Sequence, residues 1–421
     1  MSLSPGTLIL MTVRILHCAD LHLDATLGDT ARASQLDGIS DAEQKRFTDA
    51  PLTALTNIQR AAINNRVDIV VIAGDVFNRR DGIANDLPTR SAFTRFLRAL
   101  SESNIYVVIA LGNHDPLSSI QELTQAWPDT VRLFSQSAPE TFEFTIDGHK
   151  VLCHGMSYTS HDESRNLASM YPAADPQAIN IGVLHTNVES DVNHKNYAPC
   201  TLHDLTTLAY DYMALGHVHK RTILSEHPFV AYSGNSQGLS AKPSECERKG
   251  CFIATIESPG ATLTYEFIET DTVQYVREHI TIDDSLATED VASHVARELH
   301  QRFNNSDLTY ICRLTLTVNG IFSNNDLLRM INDERAQVIV TSLTLTSAAT
   351  KFDELSSSHV FFQLLDNELK NFSGPQLEDL YGKRAHEISL LLDSPEINNT
   401  ELAEQIKEHI SMVYAQESKG S

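Results

Sequence analysis

Five short apolar runs, each ending in side chains that can ligate a metal, constrain this 421-residue chain more than anything else in it. Ile15-Leu16 leads into Asp20-x-His22, and Ile69–Ile72 leads into Gly74-Asp75. Val107–Ile109 leads into Gly112-Asn113-His114-Asp115, Ile181–Leu184 into His185, and Met213–Leu215 into Gly216-His217-x-His219. In α/β architectures ligands gather where the carboxyl ends of strands meet loops. Five strands delivering Asp, Asn and His to one edge is the arrangement that a two-metal hydrolase requires. The expected fold class is therefore α/β, with residues 13–270 alternating strands and helices before a strand-rich return.

The order D-x-H, G-D, G-N-H-D, H, G-H-x-H resembles the calcineurin-like metallophosphoesterase superfamily. Within it, the chain is most similar to the SbcD/YhaO-type DNA repair exonucleases. The stretches that carry this narrower resemblance are Asp20–Asp24, Ala73–Phe77, His154–Tyr158 and Tyr232–Gly238. It covers residues 13–270 by motif and the remainder only by layout. The fold it implies is a β-sandwich flanked by helices, with a small α+β capping domain and a C-terminal helical segment.

The resemblance also implies a ligand set for two divalent ions. Asp20, His22, Asp75 and His219 would hold one, and Asp75, Asn113, His185 and His217 the other. Asp75 is the natural bridging carboxylate. Two ions about 3.5–4 Å apart can activate water, neutralise a phosphate and stabilise the leaving oxygen. A mixed N/O shell suits manganese first, with magnesium, iron or zinc as alternatives. His114, beside Asn113 but outside the ligand set, is placed to act on substrate as a charge stabiliser or general acid. Asp115 is expected to orient its imidazole. Many relatives carry a second catalytic His three positions after the bridging Asp, where this chain has Asn78. Asparagine can hydrogen-bond a phosphate but gives up no proton at neutral pH. This departure bears on processing rate and substrate preference, and not on the metal centre.

Other chemistry-bearing residues have plainer readings. His154 follows Val151-Leu152-Cys153, and a satisfied core or supporting histidine is favoured there. His17 and Cys18 lie within the first strand, His17 as a packing residue and Cys18 as a small buried hydrophobe. Arg79 and Arg80 either contact a nucleic-acid phosphate or decorate a solvated loop. Lys45-Arg46 and His194-Lys195 read as loop charges.

Charge sets the main objection to a nuclease. A net charge of −23 argues against nonspecific coating of nucleic acid. Two divalent cations would add four positive charges where a phosphodiester must bind, and a partner chain can supply more. The expected consequence is weak, salt-sensitive DNA affinity for the isolated chain. Six cysteines without a C-x-x-C pair imply neither a disulfide scaffold nor a thiolate zinc site, which fits a reducing cytoplasm. No stretch approaches the roughly 20 apolar residues of a membrane span. Thr7–Met11 is too short for a signal core, and residues 1–10 read as an extension before a start at Met11.

Length fits two or three domains, read here as 12–271 for the nuclease domain, 272–347 for the cap and 348–421 for a C-terminal helical segment. The stretch 25–50 is polar and reads as a long linking insertion able to flank the cleft. Within the cap, Val273 and Tyr275 alternate, and Val291, Val295 and Leu299 share a helix face. Next come a strand at Tyr310–Val318, a helix capped by Ser323 with Asp326 at N3, and a strand at Val338–Leu345. By resemblance, such a cap limits which DNA shapes reach the metals. Three amphipathic helices follow, marked by Phe361–Leu369, Leu377–Leu392 and Leu402–Val413. They either pack on the body or, by resemblance, dock the coiled-coil base of an SbcC-type ABC ATPase. A homodimer is a further partner that the family implies. The function expected is a metal-dependent DNA exonuclease subunit acting in DNA repair. The alternatives are a small-molecule phosphodiesterase or phosphatase on the same fold, and a mainly structural DNA-end-binding subunit of an ATPase complex.

Overall fold

The computed structural model describes residues 11–29, 33, 39–78, 87–116, 124–135, 137–189, 197–283, 285–318, 322–335 and 337–346. Arg79, Arg80, His194, Lys195 and the three helices read over 348–421 lie outside the described residues. The chain divides into two compact units, one formed by 1–279, 292–315 and 327–343, the other by 280–291, 316–326 and 344–421.

Two six-stranded sheets make the body of the first unit. In one, β1 (Val13–Cys18), β2 (Ile69–Ala73), β3 (Tyr106–Ala110) and β4 (Val131–Leu133) run parallel. β11 (Gly250–Ile256) and β12 (Thr264–Glu269) extend its other edge antiparallel, giving the order β12-β11-β1-β2-β3-β4. The second sheet is parallel at its centre, with β6 (His149–Gly155), β7 (Ile179–His185), β8 (Tyr212–Gly216) and β10 (Phe229–Tyr232). β5 (Glu140–Ile146) and β9 (Thr222–Glu226) close its edges antiparallel, giving the order β5-β6-β7-β8-β10-β9.

The sequence forms these strands because both faces of each sheet are covered, so the runs are continuously apolar rather than alternating. Every residue of β2, β7 and β8 is buried. Alternate residues serve two cores, as the period of two requires. Ile15, Val71, Val108, Val151, Ile181 and Ala214 belong to the core between the sheets. Leu16, Val70, Ile72, Val107 and Ile109 face outward to Leu55, Ile58, Phe93, Phe96 and Leu97. Those residues come from α1 (Asp41–Asn64) and α2 (Leu87–Glu102). The outer face of the second sheet presents Leu184, Met213 and Leu215 to Met156, Tyr158, Leu167 and Tyr171. The result is a β-sandwich flanked by helices.

Helix α1 corrects one expectation. The stretch 25–50 is not a linker throughout, because α1 begins at Asp41 behind a capping box. Glu43 N donates to Ser40 Oγ at 3.3 Å and Ser40 N donates to Glu43 Oε2 at 2.8 Å. This satisfies two of the donors orphaned at a helix start. The stretch is also packed: Leu27 before the helix, with Phe47 and Ala50 within it, shares an apolar cluster with Val273, Tyr275, Ile311 and Ile339. The last four come from a three-stranded sheet ordered β13 (Val273–Thr281), β14 (Thr309–Thr317), β15 (Val338–Thr346). Helices α3 (Val291–Arg302) and α4 (Asn324–Asp333) alternate with these strands in sequence. In the second unit, Thr317 and Thr346 hydroxyls pair at 2.8 Å and Asp326 N donates to Ser323 Oγ at 3.4 Å.

The packing predicts a stability effect far from the site. Phe93 is 1% exposed and its ring meets Phe77, Phe96 and Trp127 at centroid distances of 5.6–5.8 Å. Phe93→Ala should lower unfolding stability by about 3–5 kcal/mol through the cavity left behind. Equilibrium urea unfolding measures it, and a change under about 1 kcal/mol is not expected.

Candidate metal centre

Register places the site. Cys18 pairs with Ile72 and Ile72 with Ile109, so the parallel strands β1, β2 and β3 end level. Their following loops carry Asp20, His22, Asp75, Asn113 and His114. In the second sheet His185 pairs with Gly216, which brings the ends of β7 and β8 together with His217 and His219 just beyond. The loops after β1 and β2 then zip together, as Asp20 N donates to Gly74 O and His22 N to Asp75 O, both at 3.0 Å.

The two sheets meet here closely enough that only glycine fits. A Cβ on Gly112 would lie 2.2 Å from Asp75 Oδ1, and one on Gly74 would lie 2.3 Å from His185 Nδ1. Gly74 also has φ of +94°, a region that glycine adopts without steric cost.

Most of the expected ligands converge. Ligand atoms of Asp20, His22 and His219 lie within 4.8 Å of one another, as do those of Asp20, Asp75 and His185. Asp75 Oδ2 is 3.8 Å from His22 Nε2 and 3.5 Å from His185 Nε2, so it stands between the two groups. His185 Nε2 is 3.1 Å from Asn113 Oδ1. The His217 ring lies 5.2 Å from that of His185, and its backbone N donates to both oxygens of the Asp20 carboxylate at 3.0–3.1 Å.

The donor set fits divalent cations. Asp20 and Asp75 are 1% and 2% exposed, and Asp75 is flanked by the imidazoles of His22 and His185. Burial, followed by repulsion from His219, pushes the His22 imidazole down to about 3. Burial and then His185 do the same to His217, also to about 3. These rings are therefore neutral, as ligands must be. Burial pushes Asp75 up, but His185 and the hydrogen bond from His114 N outweigh it and hold the carboxyl at about 2. Asp20 is raised by burial. Buried carboxylates beside the neutral His22 and His217 rings leave negative charge that a metal cation would balance. His22 Nε2 and His219 Nε2 face each other at 3.1 Å, while His22 Nδ1 is buried without a partner among the described residues.

Asp115 departs from expectation. It does not orient His114. Its Oδ1 accepts from Gly112 N at 2.9 Å, and its Oδ2 accepts from Val76 N at 2.7 Å and Phe77 N at 3.4 Å. Asp115 thus fastens the loop after β3 to the loop after β2. Burial and then the Asp75 charge raise its carboxyl to about 7. The partner of His114 Nδ1 is instead the backbone carbonyl of Asn78, 2.8 Å away. Asn78 is itself anchored, its N donating to Asp24 Oδ1 at 2.6 Å. His114 N donates to Asp75 Oδ1 at 2.9 Å.

The plain readings of two other histidines match their surroundings. His17 is fully buried between Tyr212 Oη and Leu215 O, both at 3.1 Å, and burial lowers its imidazole to about 3. His154 lies between Thr141 Oγ1 at 2.8 Å and Asn180 Oδ1 at 3.3 Å.

Two residues carry no mark in the sequence. Glu245 Oε1 is 2.6 Å from His219 Nδ1, and His161 Nδ1 is 2.6 Å from Asn113 O. Glu245 follows Pro243 in a short 3-10 turn without an apolar lead-in, so no strand-end pattern points to it. His161 sits on a loop with an equally plain sequence context.

Comparison with known proteins agrees with this geometry. Residues 13–221, which carry every expected ligand, match the calcineurin-like phosphoesterase family model. The chain is 32% identical over 265 residues to the Bacillus subtilis (strain 168) protein named uncharacterized metallophosphoesterase YhaO. That match covers 62% of this chain and 60% of YhaO. The chain is also 29% identical over 110 residues to the SbcD component of the nuclease SbcCD from Escherichia coli (strain K12). This shorter match covers 26% of this chain and 23% of that protein. Among solved structures, TT1561 of Thermus thermophilus aligns at 13% identity and a TM-score of 0.34, over 61% of this chain and 99% of its own. This last likeness is too weak to bear on the site.

The close approach of the loops after β2 and β3 gives a direct prediction. Gly112→Ala should displace the Asp75 carboxylate and reduce bound divalent metal, with little effect on the buried strands. Metal content by mass spectrometry after dialysis, beside circular dichroism, checks it. Wild-type metal content in the folded variant is the outcome not expected.

Proposed function

We propose that this chain is a metal-dependent phosphodiesterase whose substrate is DNA, acting as the exonuclease subunit of a DNA repair complex. The observation that carries the reading is the convergence of Asp20, His22, Asp75, Asn113, His185 and His219 at the strand ends of the two sheets, with the partly exposed His114 beside them. The domain division 12–271, 272–347 and 348–421 is part of this proposal.

Asp20, His22, Asp75 and His219 would hold one divalent cation, and Asp75, Asn113, His185 and His217 a second, with Asp75 shared. When bound, such a pair supplies Lewis-acid activation of water and neutralisation of the phosphate charge. The protein's own residues do the rest. Asn78 O holds His114 Nδ1 as a hydrogen-bond donor, so a proton that His114 delivers must leave from Nε2. The same carbonyl stabilises the ring when both nitrogens are protonated. That suits a general acid for the leaving 3′ oxygen, or a donor to the developing phosphorane charge. The Asn78 side chain can hydrogen-bond a phosphate oxygen but moves no proton. Arg79 and Arg80 follow it in sequence and are the candidate phosphate contacts.

DNA is preferred over a small phosphodiester because of the likeness to SbcD and YhaO and because of the βαβαβ segment after the phosphoesterase domain. An SbcC-type ABC ATPase and a second copy of the chain are the partners proposed with it, and manganese the metal. The acidic net charge favours the second reading, a small-molecule phosphodiesterase on the same fold.

Degradation of end-labelled single- and double-stranded DNA in manganese separates the two. The DNA reading expects metal-dependent nucleotide release. Hydrolysis of a bis-aryl phosphodiester with no release from either DNA would favour the small-molecule reading. His114→Ala should retain both ions while losing about 10²–10⁴-fold in turnover. Loss of an ion in that variant would place His114 among the ligands instead. Asp75→Asn should lower bound metal from two ions per chain to one or none, measured by mass spectrometry, because one carboxylate serves both sites.

A further inference from the structure

We propose that Glu245 is a positioning residue that makes the two ion sites unequal, so that the site containing His22 and His219 holds its ion more tightly and fills first. This rests on the two-ion reading above and concerns what stands behind each imidazole.

Glu245 is 5% exposed and its Oε1 lies 2.6 Å from His219 Nδ1. Its Oε2 accepts from Asn235 Nδ2 at 2.8 Å and from Leu239 N at 3.1 Å. All three groups are donors, and a carboxylate accepts from all of them. A carboxamide would turn its NH2 toward one of them. The glutamate therefore fixes the proton of His219 on Nδ1 and leaves the Nε2 lone pair for a cation. The Lys249 side chain ties the backbone of His219 to the turn that carries Glu245, because its Nζ donates to His219 O and to Ser244 O, both at 2.7 Å. A carboxylate behind a ligating imidazole raises its electron donation and fixes its orientation, and removing such a partner weakens metal affinity about 10–100-fold.

Among the described residues, the other group lacks this device. His185 Nδ1 donates to the neutral carbonyl of Ala73 at 3.0 Å. His217 lies against the rings of His185 and Tyr197 at 5.2 and 5.3 Å. His22 Nδ1 has no partner among the described residues, so in its site the carboxylate behind an imidazole is that of Glu245. The carboxylate-backed group thus binds the harder-held ion, and the carbonyl-backed group exchanges its ion more readily.

Calorimetric titration of the metal-free full-length chain with manganese tests this. Wild-type protein should show two separable steps. Glu245→Gln should weaken the tighter step about 10–100-fold and leave the weaker step unchanged. Glu245→Asp keeps the charge and should fall between the two. Urea midpoints of the metal-free variants report folding, and if Glu245→Gln does not fold, a loss confined to the tighter step in Glu245→Asp carries the proposal. An unchanged tight step, or equal weakening of both steps, overturns it. Wild-type protein that binds fewer than two ions overturns the two-ion reading itself, a result distinct from two equal steps, which defeats only the inequality.

Discussion

The site depends on one close approach between the two sheets, where the end of β2 meets the ends of β7 and β8. Ala73 O accepts from His185 Nδ1 at 3.0 Å, and a Cβ on Gly216 would lie 1.8 Å from that same oxygen. No larger residue at 216 or 74 allows the strands to close to this distance. The core between the sheets fills the space behind it with Ala73, Ala110, Ala214 and Ala231, small side chains that permit the approach. Because the strands in each sheet end level, a single contact of this kind brings ligands from five loops within reach of one another. The histidines of one sheet then face the carboxylates of the other.

Holding those ligands requires unusual backbone. Asp20, His22, Asp75 and His217 have φ of 50°, 42°, 51° and 104°. Asp and His tolerate the left-handed region better than β-branched residues, yet each such residue still costs about 1–3 kcal/mol where it is sparsely populated. The surrounding hydrogen bonds over-determine it. Asp20 N and His22 N are tied to the β2 loop, His217 N is tied to the Asp20 carboxylate, and Asp115 clamps the β3 loop to Val76 and Gly112. The fold thus supplies rigidity for loops that a metal alone would have to order. This explains why Asp115, which touches no expected substrate position, is as deeply buried as the ligands.

Much of this is legible in the sequence because strand ends leave a linear mark: an apolar run, then a ligand. That mark locates Asp20, Asp75, Asn113, His185 and His217 and the α/β class with them. It fails where geometry is not linear. Glu245 reaches His219 across 26 residues from a turn with no periodicity, and only the fold brings them to 2.6 Å. Asp115 misleads for a related reason. Adjacency to His114 in sequence suggests contact, but consecutive side chains in a tight loop point apart, and its carboxylate finds backbone N–H groups instead. The onset of α1 at Asp41 is hidden by polar residues, although Ser40 and Glu43 carry the capping-box spacing that marks it. The partner of His114, a backbone carbonyl, leaves no trace in side-chain identity.

Charge ties the site to the rest of the chain. A net charge of −23 repels polyanions at long range, and screening shortens that repulsion to about 8 Å at physiological ionic strength. Within that distance of Asp75 the local balance is different, because Asp20, Asp75 and the histidines beside them form a donor set that takes up cations. A phosphodiester reaching a loaded centre would meet net attraction there and repulsion from much of the remaining surface. An acidic body is thus compatible with acting on a polyanion, since it favours engagement at the centre over adsorption elsewhere.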